Sequence, residues 1–125
     1  MYAAQMKVRR FHEVFNCKRQ DKPGLMDEVD LRIRLMREEF CAELVPAMRV
    51  GDLPAIADGI GDLLYVVLGT AVAYGINIDP IFEAIHNANM AKLGGTTRPD
   101  GKILKPEGWQ PPDIRSLLIA QGWKP

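Results

Sequence analysis

Between Leu53 and Tyr74 the only ionisable side chains other than two tyrosines are Asp58 and Asp62; everything else is apolar or small. A helix that is apolar all round belongs in an interior, so this stretch predicts a core helix on which the other elements pack. Its two carboxylates would each be strongly unfavourable there unless paired or bound to metal. Four residues apart, they stack about 40° from one another, and Tyr65 and Gly69 extend the same column. Something cationic is expected to face them.

Punctuation along the chain divides the rest into helices. The pattern predicts a first helix over Ala3 to Asn16, with Met6, Phe11 and Phe15 on one face, broken by Asp21-Lys22-Pro23-Gly24. A second runs from Met26 to Met48, with Asp27, Glu28 and Asp30 near its positive end, and Pro46 is expected to kink or end it. Asp52 caps the core helix, Pro54 fits its first turn, and Gly75 stops it. Asp79 as N-cap and Pro80 at the first helical position open a helix from Ile81 to Leu93, ended by Gly94-Gly95. Thr96 to Pro112 is an arm rich in Gly, Pro and Lys, followed by a short helix from Asp113 to Gln121. No strand alternation is present. The expected fold is all-α, a four-helix bundle with a C-terminal Lys/Pro-rich arm and short helix, in a single domain over residues 1–125.

Composition narrows the partners. Hydrophobic residues make up 47% and charged residues 26%, with formal net charge +0, which argues against disorder and against a polyanion-binding surface; nucleic acid is not expected. Cys17 and Cys41 match no C-x-x-C spacing and fit thiols of a reducing compartment, so a cytoplasmic location is expected. The stretch before Asn16 lacks the continuous apolar core of a signal peptide. The most apolar run, Leu63 to Ala73, is interrupted by Gly69 and Thr70 and falls short of the ~20 residues of a bilayer span; no membrane is expected.

A second set of acids lies on the second helix. Counted from Leu31, the residues Leu35, Met36, Phe40, Leu44 and Ala47 fill an arc of about 220°, and Glu39 and Glu43 interrupt it at about 80° and 120°. Arg32 projects between them, and Glu38 falls near the other edge. Glutamates spaced along a helix are most often a solvated face; the two aspartates on an otherwise apolar helix are what favour a site. Glu39, Glu43, Asp58 and Asp62 supply hard oxygen donors suited to Mg²⁺, with Mn²⁺ as the alternative ion. Such ions bridge the oxygens of a triphosphate and acidify a bound water, whose proton Glu38 is placed to take.

The segments Leu31 to Leu35, Glu38-Glu39 with Glu43, Ile56 to Val67, His86 to Lys92 and Asp100 to Trp109 together resemble the MazG-like all-α nucleoside triphosphate pyrophosphohydrolases. The likeness is to the branch labelled Cof-like or phosphoribosyl-ATP-pyrophosphatase-like, and to its dUTP-hydrolysing Deinococcus members; it covers Phe11 to Ile114. It implies a dimerising helical bundle, a magnesium site, and hydrolysis of a (deoxy)nucleoside triphosphate to monophosphate and pyrophosphate, with a dUTP- or dCTP-like substrate and removal of unwanted nucleotides as the role. Glu39, Glu43 and Asp62 map to metal ligands, Glu38 or Glu39 to the base, Asn89 and Lys92 to positions facing the nucleotide, and Lys102 and Lys105 to phosphate contacts; Arg32 and Tyr65 join the substrate side. Two departures stand out: both acid pairs are spaced four where three is usual, and Gly59 occupies a position where an acid is usual. Apolar surface beyond what one bundle covers implies a homodimer or homotetramer.

Other readings are a phosphoribosyl-ATP pyrophosphatase-like activity, a non-catalytic nucleotide-binding module of the same fold, and a di-iron bundle. The last rests on Glu83 and His86 at i, i+3, but such sites need two copies and only one is present.

Overall fold

A computed structural model describes residues 2–125, and among them the chain is all-helical. The helices are α1 (Tyr2–Val14), α2 (Val29–Arg37), α3 (Val45–Val50), α4 (Leu53–Ala73), α5 (Ile78–Met90) and α6 (Ile114–Ala120), with a π-helical segment, Glu38–Leu44, between α2 and α3. The residues at the two junctions, Glu38 and Val45, keep right-handed helical dihedrals, so α2, the π segment and α3 form one unbroken rod. The expected all-α bundle is therefore present, built from α1, this rod, α4 and α5.

Pro46 neither ends nor breaks the rod. It sits in the first turn of α3, just after the π segment closes with the Val45 N–H on the Phe40 carbonyl, five residues back. Within an α-helix the proline ring would crowd the carbonyl four residues earlier; the wider i→i+5 turn ends where that conflict would begin. Gly51, left-handed at φ 74°, then stops the rod as its N–H reaches the Ala47 carbonyl at 3.0 Å.

Asp52 caps α4 as expected, its carboxylate accepting from the Ala55 N–H at 3.2 Å. The start of α5 differs from expectation. Asn77, not Asp79, is the N-cap, and Pro80 is the third helical residue. Asn77 wins because its backbone is extended and its amide oxygen already accepts from the Asp79 N–H at 3.2 Å, while Gln121 of the C-terminal segment exchanges two hydrogen bonds of 2.9 Å with its backbone. The helix correspondingly ends at Met90, leaving Leu93 in the following turn.

The core lies between α1 and α4, where Val8, Leu68 and Val72 are buried together with Ala4 and Ile78 against them. Gln5, buried in α1, donates to the Ile76 carbonyl at 2.6 Å and accepts from the Ile78 N–H at 3.0 Å, tying α1 to the α4–α5 turn. Helix α4 also packs against α2, the π segment and α3, whereas α5 packs against α1 and α6.

The expectation that α4 is buried on all sides is not met. Gly59, Leu68, Gly69 and Val72 face the other helices, but Leu53, Ile60, Leu64 and Val67 are exposed, Leu53 at 72%. Composition counts apolar residues without saying how many neighbours exist to cover them, and one chain offers α1 and the rod on one side only. Capping also makes α4 a helix of 21 residues, longer than the uninterrupted apolar run, and by length and composition alone it is long and apolar enough to cross a membrane. It carries the exposed Asp58 and Asp62 and packs against four other elements.

Candidate active site

The π segment contains all three glutamates singled out in the rod. In an α-helix, Glu39 and Leu44, five residues apart, would diverge by about 140°. The i→i+5 turn brings them back towards one side. Leu44 is 6% exposed and meets α4 at Gly59, where an added Cβ would lie 3.2 Å from Leu44 Cα, Cβ and Cδ1. Gly59 is the gap in α4 that admits the wide turn. The same extra residue acts over a longer span: Arg32 and Leu44, twelve apart, would face about 120° away from one another in a plain α-helix, yet both are buried. The Glu39–Glu43 spacing of four and Gly59 are thus two sides of one local accommodation.

Glu39 is half-buried, and Glu38, Glu43, Asp58 and Asp62 are exposed. Burial raises the Glu39 carboxyl above its ordinary value, and the negative charges of Asp62, Glu43, Glu38 and Asp58 raise it further. Five acids from the π segment and α4 therefore share one field. Among the described residues none of them forms an ion pair.

The arrangement is open rather than a cage. Asp58 and Asp62 face outward, and among the described residues no three acid, histidine or cysteine side chains converge to hold an ion. The expectation of carboxylates closed around a point inside the bundle is corrected accordingly. The donor set itself, carboxylate oxygens only with no protein cation among them, fits a hard divalent ion. Tyr65, one turn beyond Asp62, adds an aromatic wall: its ring stands edge-on to Phe11 at 5.7 Å, and Phe11 lies 4.5 Å from Phe15.

Arg32 does not accompany the acids. Its side chain is 8% exposed and seated between α2 and α4, where Nε donates to Thr70 Oγ1 at 3.2 Å and a terminal nitrogen donates to the Val66 carbonyl at 2.8 Å. The projection that placed it between Glu39 and Glu43 assumed an α-helix throughout and ignored the pull of free carbonyl and hydroxyl acceptors. Beside it, His12 is buried with Nδ1 2.7 Å from the Lys18 carbonyl. Burial lowers its pKa and the charges of Arg32 and Arg19 lower it further, against the opposing effect of the Lys18 carbonyl.

The basic candidates gather elsewhere. Asn89 lies at the end of α5 and Lys92 in the turn after it, lining with Gly95, Thr97 and Ile103 a cavity of about 280 Å³. The arm is a folded hairpin whose residues from Thr96 to Lys105 are nonetheless all exposed. Thr97 and Ile103 form a β-bridge, the Leu104 N–H donates to the Thr96 carbonyl at 2.7 Å, and the Arg98 side chain grips Asp100 across the turn. Lys102 is exposed at that turn, its N–H held by Asp100 at 3.2 Å. Lys105 lies 4.8 Å from the centre of the Trp109 ring. Neither Lys92 nor Lys105 forms an ion pair with the acids among the described residues.

Sequence reasoning missed the π turn and Trp109. A helix continuing through Pro46 was the one available signal for the first. The second lay in a segment that carries the resemblance, but a tryptophan in a Pro-rich arm does not declare its partner, here the Ala88 carbonyl.

Comparison with known proteins identifies the family of the chain. The phosphoribosyl-ATP pyrophosphohydrolase family profile matches residues 8–89, which include all five acids. Over 51 residues, 41% of this chain, the sequence is 47% identical to protein L479 of Acanthamoeba polyphaga mimivirus. That match spans 20% of the viral protein's length. The chain thus belongs to the phosphoribosyl-ATP pyrophosphohydrolase family of the MazG-related superfamily, a family of nucleotide pyrophosphohydrolases.

Proposed function

We propose that this protein hydrolyses a (deoxy)nucleoside triphosphate to its monophosphate and pyrophosphate, with Mg²⁺ or Mn²⁺ as cofactor. The observation that carries this reading is the field of five uncompensated carboxylates on two packed elements, within the matched family region. Glu39, Glu43, Asp58 and Asp62 would hold the ion, which supplies charge neutralisation and water activation when bound. Glu38 or Glu39 takes the proton of the water that attacks phosphorus, and the bond to the bridging oxygen breaks with pyrophosphate leaving. Tyr65, with Phe11 beside it, offers a ring surface to the nucleoside. A dUTP- or dCTP-like substrate and removal of unwanted nucleotides are the parts of this reading taken from the motif resemblance alone, and a cytoplasmic setting is the part taken from the unpaired thiols Cys17 and Cys41.

The reading includes a homodimer or homotetramer. Leu53, Ile60, Leu64 and Val67 on α4 and Phe82 and Ile85 on α5 are exposed apolar side chains, a surface suited to a second copy. A partner seated there would cover the exposed apolar side of α4, about half a turn around the helix from the column of Asp58 and Asp62.

Incubation of the protein with common and deoxy triphosphates plus Mg²⁺ tests the chemistry. Pyrophosphate is the expected first inorganic product, and orthophosphate in its place contradicts cleavage between the α and β phosphates. Asp62→Ala abolishes turnover with helix content kept; retained turnover removes the site. The family's own description favours a second reading, with phosphoribosyl-ATP as substrate, and faster turnover of that compound than of every triphosphate would select it.

A further inference from the structure

Two of the chain's lysines converge on one tryptophan. The Trp109 Nε1–H donates to the Ala88 carbonyl in the last turns of α5 at 2.7 Å, so the indole is fastened to a helix although it arrives on the arm. Lys92 Nζ stands 5.5 Å from the ring centre and Lys105 Nζ 4.8 Å. One lysine comes from the α5 end of the hairpin and the other from its far end. The hairpin that brings them together is closely built, since Gly95 passes so near the Leu104 carbonyl that a Cβ has no room there.

The shared ring, rather than the lack of a carboxylate partner, sets these two lysines apart, since only four of the 16 Lys and Arg side chains meet a carboxylate among the described residues. Arg9, Arg10, Lys18 and Arg98 each meet a carboxylate. Lys92 and Lys105 meet none among the described residues, although both are drawn to the negative face of the same ring. Cations gathered without a counter-ion, beside a cavity that Asn89 and Lys92 line, make a receptor for a multiply charged anion.

We propose that Trp109 is a positioning residue that sets Lys92 and Lys105 as a clamp for an inorganic or esterified polyphosphate. The inference rests on the reading above only for the identity of that anion, the pyrophosphate part of the substrate. Trp109 itself touches no phosphate; it holds the two ammonium groups in reach of one chain of phosphates and limits the freedom they would otherwise lose on binding.

Binding of pyrophosphate to the full chain in EDTA, read by calorimetry, isolates the clamp from the metal site. Lys92→Gln and Lys105→Gln are each expected to weaken binding by about tenfold. Trp109→Leu weakens it about as much with both lysines present, and Trp109→Phe, which keeps a ring but loses the bond to Ala88, falls between. In turnover assays Trp109→Leu raises KM more than it lowers kcat. Absence of pyrophosphate binding by the parent, or equal binding by the parent and both lysine variants, overturns the clamp. Equal binding by Trp109→Leu with only a lowered Tm reduces Trp109 to a packing residue and overturns its role. A parent that binds pyrophosphate in EDTA yet hydrolyses no nucleotide upholds the clamp and removes the proposed activity.

Discussion

Replacing Gly59 and Gly61 separately by alanine makes the same chemical change twice on one helix, and the structure gives the two opposite signs. In an exposed or open helical position Gly→Ala gains about 1 kcal/mol, from propensity and from the smaller entropy of the unfolded chain. At Gly61 an added Cβ meets nothing within 4 Å, so that gain is realised. At Gly59 the Cβ would lie 3.2 Å from three atoms of Leu44, one of them Cα in the π turn. Relieving that contact displaces backbone rather than the tip of a side chain. Overpacking of this kind costs about 1–3 kcal/mol, which exceeds the propensity gain and leaves a net loss of about 1 kcal/mol. Tm should then fall by about 3–5 °C for Gly59→Ala and rise by a similar amount for Gly61→Ala. Urea or thermal unfolding followed by circular dichroism, at one fixed protein concentration because assembly shifts apparent stability, reads both. Shifts of equal sign and size in the two variants refute the claim that the π turn occupies the space Gly59 leaves.

His12 predicts a pH dependence. Its folded pKa lies below the ordinary 6.5, so the unfolded chain binds more protons and stability falls as pH drops below that value. Urea midpoints at about pH 7.5 and about pH 5.5 should differ by less in His12→Gln than in the parent; equal differences refute it. Gly69→Ala puts a Cβ 2.5 Å from a terminal nitrogen of Arg32 and 3.0 Å from His12 Nε2, and should lower stability by about 2 kcal/mol or more, measured by the same unfolding assay. Gly75→Ala combines a left-handed backbone at φ 70° with a Cβ that collides with the Lys22 carbonyl, and loss of soluble folded protein on expression is the expected outcome.

The helices and their stops were legible because caps and glycines act locally. Asp52 and Gly75 do in the structure what their chemistry predicts. Asn77 was overlooked because its advantage over Asp79 depends on Gln121, a residue 44 positions away. The acids of the candidate site stand out in the sequence, since Glu39, Glu43, Asp58 and Asp62 interrupt apolar patterns. Their outward setting does not, because periodicity says which face a residue occupies and nothing of what covers that face. Arg32 shows the same limit from the other side: an angular projection along an assumed α-helix cannot register one extra residue absorbed by a π turn.

The arm between α5 and α6 is fastened at two places, by Trp109 to Ala88 and by Gln121 to Asn77. A segment held at both ends can open only as a closed loop, never as a loose tail. The conformations lost when it settles on a ligand are correspondingly few, so an anion arriving there finds its receptor already half arranged.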